Sequence, residues 1–395
     1  MPKTMPKKNT LKFAIQTAAV ATALGFAGQA SAVDLNVTDD TEVSLYGFAR
    51  LNMSYDFDGD NAVSTRAGTF DMDNDDKGHF GADAYQSRLG VKVKHATGVD
   101  LTVEGGFRGG DGGDFRLRHA YGEYRGFLAG RTWSNYNSFV GATPTLDFDS
   151  LAGLAGLQDR TEQVRYTTGP LSFSLEDAVR GPDIAAGTPG PDSELDREGV
   201  ANFADTRQSA PVLTARVEDS AGAVSYSAAG LVNRVSADDA TSDDSAIGYG
   251  VFGALTLDLN DMIAVHGAVN ATDGANDYLY RSGNNFYGSS AYVDGSDIET
   301  IKGYGGSLGT SLDLGQGRSI NLGYGMTKLD LDDAVSAGAM TNEAAEKNQN
   351  AMLNYQWTPV NNVMMGVEYG YYHQETRGGD TSEANRVLFA TQYDF

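Results

Sequence analysis

The chain of 395 residues carries 29 basic against 53 acidic residues, with 49 glycines, 20 tyrosines, 17 phenylalanines and no cysteine. A net charge of −24 excludes nucleic acid as a natural partner, since phosphates would be repelled. The lack of cysteine excludes disulfides, thiol catalysis and cysteine-ligated zinc.

In chain order, Lys3, Lys7, Lys8 and Lys12 precede an apolar stretch from Phe13 to Phe26, followed by Ala30, Ser31 and Ala32. This is the pattern of a cleaved secretory signal peptide over residues 1–32. The apolar stretch is shorter than the roughly 20 residues a membrane-spanning helix needs. Cleavage after Ala32 removes four lysines, leaving 25 basic against 53 acidic residues and a net charge of −28. No later segment reaches the ~18 consecutive apolar residues of a spanning helix, so the mature chain is either soluble or crosses a membrane with strands.

From Val43 onward the apolar period is two. Val43, Leu45, Ala49, Leu51, Met53 and Tyr55 share one phase, and Ser44, Arg50, Asn52 and Ser54 the other. The pattern returns at Leu101, Val103 and Phe107, at Ile247, Tyr249 and Val251, at Ile320, Leu322 and Tyr324, and at Val363, Met365 and Val367. Each run keeps its character for about ten residues, the length of a tilted strand crossing a bilayer. Short turns at 95–100, 167–170, 219–223, 258–261 and 358–362 are interleaved with long polar segments near 56–83, 135–160, 181–210, 235–245, 272–299 and 330–348. The reading is all-β: a single transmembrane antiparallel β-barrel over 33–395 with about 16 strands. The final run, with Val387, Phe389, Tyr393 and Phe395 in one phase, is then the strand that closes the barrel against the first.

Charge is segregated. Acids crowd the long segments, as at Asp56, Asp58, Asp60, Asp71, Asp73, Asp75, Asp76 and Asp83, and at Asp238, Asp239, Asp243 and Asp244. Basic residues lie within the strands of the first half: Arg50, Arg88, Lys92, Lys94, Arg108, Arg116, Arg118, Arg131, Arg165, Arg180 and Arg216. A basic residue facing lipid near the midplane costs about 2 to 4 kcal/mol, so these are expected to face the lumen as pore-lining and anion-binding residues. Arg116 and Arg118, two apart, are the first choice for solute contact. The alternative is that the arginines pair with Glu104, Glu123, Glu162, Glu176 and Glu218 and stiffen the wall. The segment 130–160 is long, weakly charged and rich in Gly and Leu. Either it folds inward as a constriction loop, setting Asp147 and Asp149 near the arginines, or it lies outside and covers a neighbouring subunit.

"GRTWSNYNSF", "PTLDF", "RTEQVRYT" with "FSLED", and "RLRHAYGEY" resemble the DcaP-like porins of Gram-negative outer membranes, and weaker similarity runs from Val43 to the end. The resemblance implies a homotrimer of about 16-stranded barrels, each with an inward-folded third extracellular loop, passing small anions including dicarboxylates. Carried over by position, Arg116, Arg118, Arg131 and Arg165 would line the constriction. Some members carry a helical N-terminal extension; here about ten residues, "VDLNVTDDTE", precede the first strand.

Other motifs carry no chemistry. "GYGVFG" lies within a strand and opens no helix, so it is no dinucleotide site, and "GGDGGDFRL" and "DMDNDDKG" lack the residues of the calcium motifs they approach. The five histidines form no metal-spaced group, and no cofactor is expected. The expected function is passive diffusion of small anionic solutes through an arginine-lined constriction, with outer-membrane lipid and lipopolysaccharide as surroundings. A non-selective general porin, a barrel enzyme and an acidic adhesin are its rivals.

Overall fold

The computed structural model describes residues 33–58, 78–109, 113–178, 183–186, 202–203, 206–237, 244–283 and 287–395. The signal peptide, Arg180, most of the first acidic segment and Asp238, Asp239 and Asp243 lie outside the described residues.

Strands β1 (Thr41–Asp56), β2 (His79–Asp83 and Arg88–His95), β3 (Val99–Gly109), β4 (Asp114–Tyr124), β5 (Phe127–Trp133), β6 (Arg160–Thr168), β7 (Leu171–Glu176) and β8 (Val212–Ala221) form the first half of the sheet. The second half is β9 (Val224–Ser236), β10 (Ser245–Asp258), β11 (Ile263–Asp273), β12 (Lys302–Gly315), β13 (Arg318–Leu329), β14 (Ala345–Val360), β15 (Val363–Thr376) and β16 (Thr381–Asp394). Each pairs antiparallel with the next, and β16 returns to β1, from Asp56 opposite Arg386 to Phe48 opposite Asp394. The result is a closed barrel of 16 strands. A further strand, Val33–Thr38, continues the sheet beside the part of β1 that β16 does not reach.

Alternation decides which face each residue takes. In β1, Leu51 and Tyr55 are exposed on the outside while Arg50, Asn52 and Ser54 are buried within. In β16, Tyr393 is exposed and Arg386, Leu388 and Ala390 are buried. A slip of one residue would turn the polar set toward lipid and the aromatic set inward, so the register is strongly specified.

Seven short connections, 96–98, 125–126, 169–170, 222–223, 259–262, 316–317 and 361–362, share one end of the barrel with Phe395. Phe395 and Gly47 exchange two backbone hydrogen bonds of 3.0 and 3.1 Å, which tie the chain end into the sheet. The other end holds the strand ends from which the six long connections and the shorter 110–113 and 377–380 depart. Parts of 177–211 and 274–301 meet there in a small sheet of Ile184–Ala186, Asn202–Phe203, Ala291–Asp294 and Asp297–Thr300.

Asp56 differs from its expected place among the loop acids. It ends β1 facing inward and accepts both prongs of Arg386, from Nε at 2.5 Å and Nη2 at 2.8 Å, across the closing seam. Both side chains are almost fully buried, and breaking such a pair costs about 3–5 kcal/mol because one charge is left alone. Arg386→Met is therefore expected to lower the temperature at which the folded barrel loses its fast mobility on detergent gels, whereas an unchanged transition would mean that the seam pair contributes nothing.

Candidate functional site

The connection 134–159 contains no strand or helix, so its backbone groups need partners from elsewhere. Inward-phase asparagines of the barrel wall supply them. Asn350 accepts from Ala152 N–H at 2.8 Å and donates to Ser150 O at 2.9 Å. Asn270 does the same for Gly156 and Gly153, at 3.0 and 2.8 Å, and Asn354 donates to Pro144 O at 2.9 Å. Two buried carboxylates fix the start and the middle: Glu176 accepts from Asn135 N–H and Ser134 Oγ at 2.7 Å each, and Glu368 accepts the successive N–H groups of Leu146 and Asp147 at 2.8 Å each. The backbone lies so close to the wall that a Cβ on Gly325 would stand 2.2 Å from Ala152 O. Glycine at such inward positions is a requirement of this approach.

The apolar side chains of the same connection fill one side of the barrel. Tyr136, Leu151, Leu154 and Leu157 pack with Leu231, Phe252, Ala268 and Met352 of β9, β10, β11 and β14, and with Tyr278, Tyr280 and Tyr287 of the 274–301 connection. Tyr280 Oη and Arg281 Nε donate to Asp149 O at 2.9 and 3.0 Å. Burial pushes the Tyr280 phenol well above its ordinary pKa, so it stays a neutral donor.

Opposite this packing, four arginines converge. Arg88, Arg108, Arg116 and Arg118 line a small recess together with Tyr85, Gln86, Phe107 and Phe148. A bulge between β3 and β4 leaves Arg118 without a cross-strand partner and re-aims it, so that its Nε lies 2.9 Å from Glu104. Arg88 shares that carboxylate at 3.9 Å, and Arg108 stands 4.0 Å from Asp149. Phe148 lies beneath two guanidinium groups, 4.3 Å from Arg50 and 5.1 Å from Arg88, which steadies both by cation–π attraction. Among the described residues the ion pairs of this set within 4.0 Å are with Glu104 and Asp149, and Arg118 Nη2 has no hydrogen-bond partner there.

The remaining basic residues divide by task. Arg50, 2% exposed, donates to Leu146 O at 2.6 Å; Arg165 donates to Trp133 O at 3.1 Å; Arg216 donates to Asn137 O. Arg50 and Arg216 thus satisfy carbonyls of the connection 134–159, and Arg165 holds the end of β5 from which it departs. Lys92 faces inward toward the short-turn end, over the ring of Tyr46 at 4.7 Å. Arg131 departs from the expectation. The inward set of β5 is Leu128, Gly130 and Thr132, so Arg131 lies in the outward phase and grips Glu162 with bonds of 2.9 and 2.8 Å. Of the two expected constriction acids, Asp149 does approach the arginines, whereas Asp147 accepts from Tyr372 Oη at 3.1 Å and from Asp149 N–H at 2.8 Å. Sequence reading missed Glu368, Arg281 and Arg160. Strand alternation assigns Arg160 outward, yet it is buried, its guanidinium 3.8 Å over the ring of Trp133. Among the described residues no group of three histidines or acids could hold a metal ion.

A closed barrel of 16 antiparallel strands, apolar outside and polar within, with long connections at one end, is the architecture of an outer-membrane porin. Residues 14–395 match the model of the DcaP outer membrane protein family, and the chain belongs to that family. In structure it is similar to the outer membrane channel DcaP of Acinetobacter baumannii, with a TM-score of 0.75 and 28% identity over 90% of this chain and 98% of that one. The barrel alone is shared with an anion-selective porin from Comamonas acidovorans, at 14% identity and TM-score 0.54 over 90% and 100% of the two chains. OmpT of Vibrio cholerae shares it likewise, at 13% identity and TM-score 0.54 over 91% and 99%. No curated protein matches the chain.

Proposed function

We propose that this outer-membrane channel prefers small anions and passes carboxylates, dicarboxylates above all, by passive diffusion along its arginine wall. The observation that carries the reading is the convergence of Arg88, Arg108, Arg116 and Arg118 on one recess facing the packed connection. A guanidinium presents parallel N–H donors that match a carboxylate in two-pronged geometry. Several such groups at close spacing give a dianion a sequence of partners, and neighbouring donors keep any one bond exchangeable. The connection 134–159 acts as the inward constriction loop: it closes off the apolar side and leaves the solute path against the arginines. Arg50 and Arg216 serve the path indirectly by holding that loop, and Arg165 by holding the strand end before it. Family resemblance supports a homotrimer of such barrels.

Succinate added at millimolar concentration to a single channel carrying chloride is expected to interrupt the current briefly and repeatedly, because a dicarboxylate resident in the recess excludes chloride. Succinamide, of the same size but uncharged, leaves the current smooth. Equal interruption by both, or by neither, would remove the carboxylate preference from this reading.

A further inference from the structure

Arg160 neither lines the recess nor donates to a carbonyl of the connection 134–159. It opens β6 opposite Trp133, the last residue of β5, and both stand in the outward phase of their strands. The chain between them runs inside the barrel, so these two strands end here and a long side chain can cross their edge. Arg160 does so. Its guanidinium lies 3.8 Å over the Trp133 ring, and its Nε–H donates to His119 Nε2 at 3.3 Å. His119 is on the lumen side, because its other ring nitrogen meets Oγ1 of the inward-phase Thr132 at 3.0 Å.

These contacts fix the imidazole. A guanidinium can only donate, so Nε2 must offer its lone pair, and the ring proton then sits on Nδ1 and is donated to Thr132 Oγ1. A second proton, on Nε2, would confront the Arg160 Nε–H and break that bond. Glu104 Oε1 lies 4.0 Å from His119 Nε2, and the same carboxylate holds Arg118 at 2.9 Å and Arg88 at 3.9 Å. Arg118 and Arg88 are near enough for their charges to act on Arg160. Among the described residues the ion pair of Arg160 within 4.0 Å is with Asp159, at 3.5 Å. The Asp159 side chain is 37% exposed and that of Arg160 9%, so water screens the carboxylate more than the guanidinium. The pair therefore adds a net positive field beside Arg88 and Arg118.

We infer that Arg160 is a further anion-selecting cation of the wall, and that neutral His119 is the positioning residue that holds it there. The inference rests on the proposed anion preference and extends it to a charge that acts through its field, without touching the solute, because its side chain is almost buried.

Reversal potentials in planar bilayers test the charge. Arg160→Gln should lower the chloride-to-potassium permeability ratio about threefold, the several-fold share of one guanidinium near the path. Arg160→Lys, which keeps the charge, should lower it less. His119→Leu should lower it too, because Arg160 loses its acceptor; His119→Gln, whose amide oxygen takes the place of Nε2, should restore it. Gel mobility of each variant checks that the barrel is folded. NMR of the detergent-solubilised protein carrying isotope-labelled histidine tests the contact itself: the His119 signals, identified by their absence from His119→Gln, should show a proton on Nδ1 and none on Nε2. An unchanged ratio in Arg160→Gln, or equal loss in the Gln and Lys variants, would overturn the role of Arg160. A protonated Nε2, or no restoration by His119→Gln, would overturn that of His119. A wild type without chloride preference would instead sink the proposed function, and the NMR result would remain as the separate test of the positioning contact.

Discussion

Replacing Arg88 and Arg118 together by alanine should abolish anion preference and turn the pore weakly toward cations. The two arginines share Glu104, at 3.9 and 2.9 Å, so their removal deletes two positive charges and frees a carboxylate that both had balanced. Two unit charges 4 Å apart interact by about 4 kcal/mol at an effective dielectric near 20. At the longer distances of an ion in transit, with screening over about 8 Å at physiological salt, roughly 1 kcal/mol remains per arginine, a several-fold change in ion ratio for each. Adding Glu104→Gln to the double variant should restore near-neutral selectivity without restoring anion preference. The readout is the permeability ratio in planar bilayers. A double variant that stays as anion-preferring as the wild type would place the selective charges elsewhere.

Glu368→Ala should widen the pore. The Glu368 carboxylate is buried and accepts two successive backbone N–H groups of the loop, as well as Asn354 Nδ2 at 2.9 Å. Alanine leaves two buried donors unmatched, at about 1–3 kcal/mol each. The loop can relieve that cost by moving its tip off the wall. Phe148, two residues beyond Leu146, would move with it and leave the guanidinium groups of Arg50 and Arg88. Single-channel conductance is expected to rise and become noisier, and anion preference to weaken, with the barrel still folded because Asn270 and Asn350 hold the remainder. Glu368→Gln, which keeps one acceptor oxygen, should fall between the two. Unchanged conductance in the alanine variant would mean that the loop tip does not limit the path.

How much of this was legible in advance follows from the range over which each signal acts. Barrel class, strand phase and the contrast between long and short connections are written in local alternation, because each strand faces lipid on one side and water on the other. The inward phase of Arg88, Arg108, Arg116 and Arg118 follows from the same alternation. Two turns escaped notice: Arg125-Gly126 and Gln316-Gly317 both take positive φ, as a two-residue hairpin demands, yet Arg and Gln are not the residues that announce one. Arg131 was misplaced because Ala129 and Gly130 beside it are too small to declare a face. Arg160 was missed because its burial comes from Trp133, outside the alternation rule. Glu368 was invisible because its partners, Leu146 and Asp147, lie more than two hundred positions away, and no local pattern marks a wall carboxylate as the anchor of a distant loop.

On the proposed function, the arginine wall, and not the acidic surface of a chain carrying −24 overall, governs what passes. The reversal potential of the wild-type channel across a tenfold KCl gradient in a planar bilayer addresses it most directly. A potential displaced toward the chloride equilibrium value is the predicted result; a potential displaced toward that of potassium would contradict it and give the selectivity to the acids.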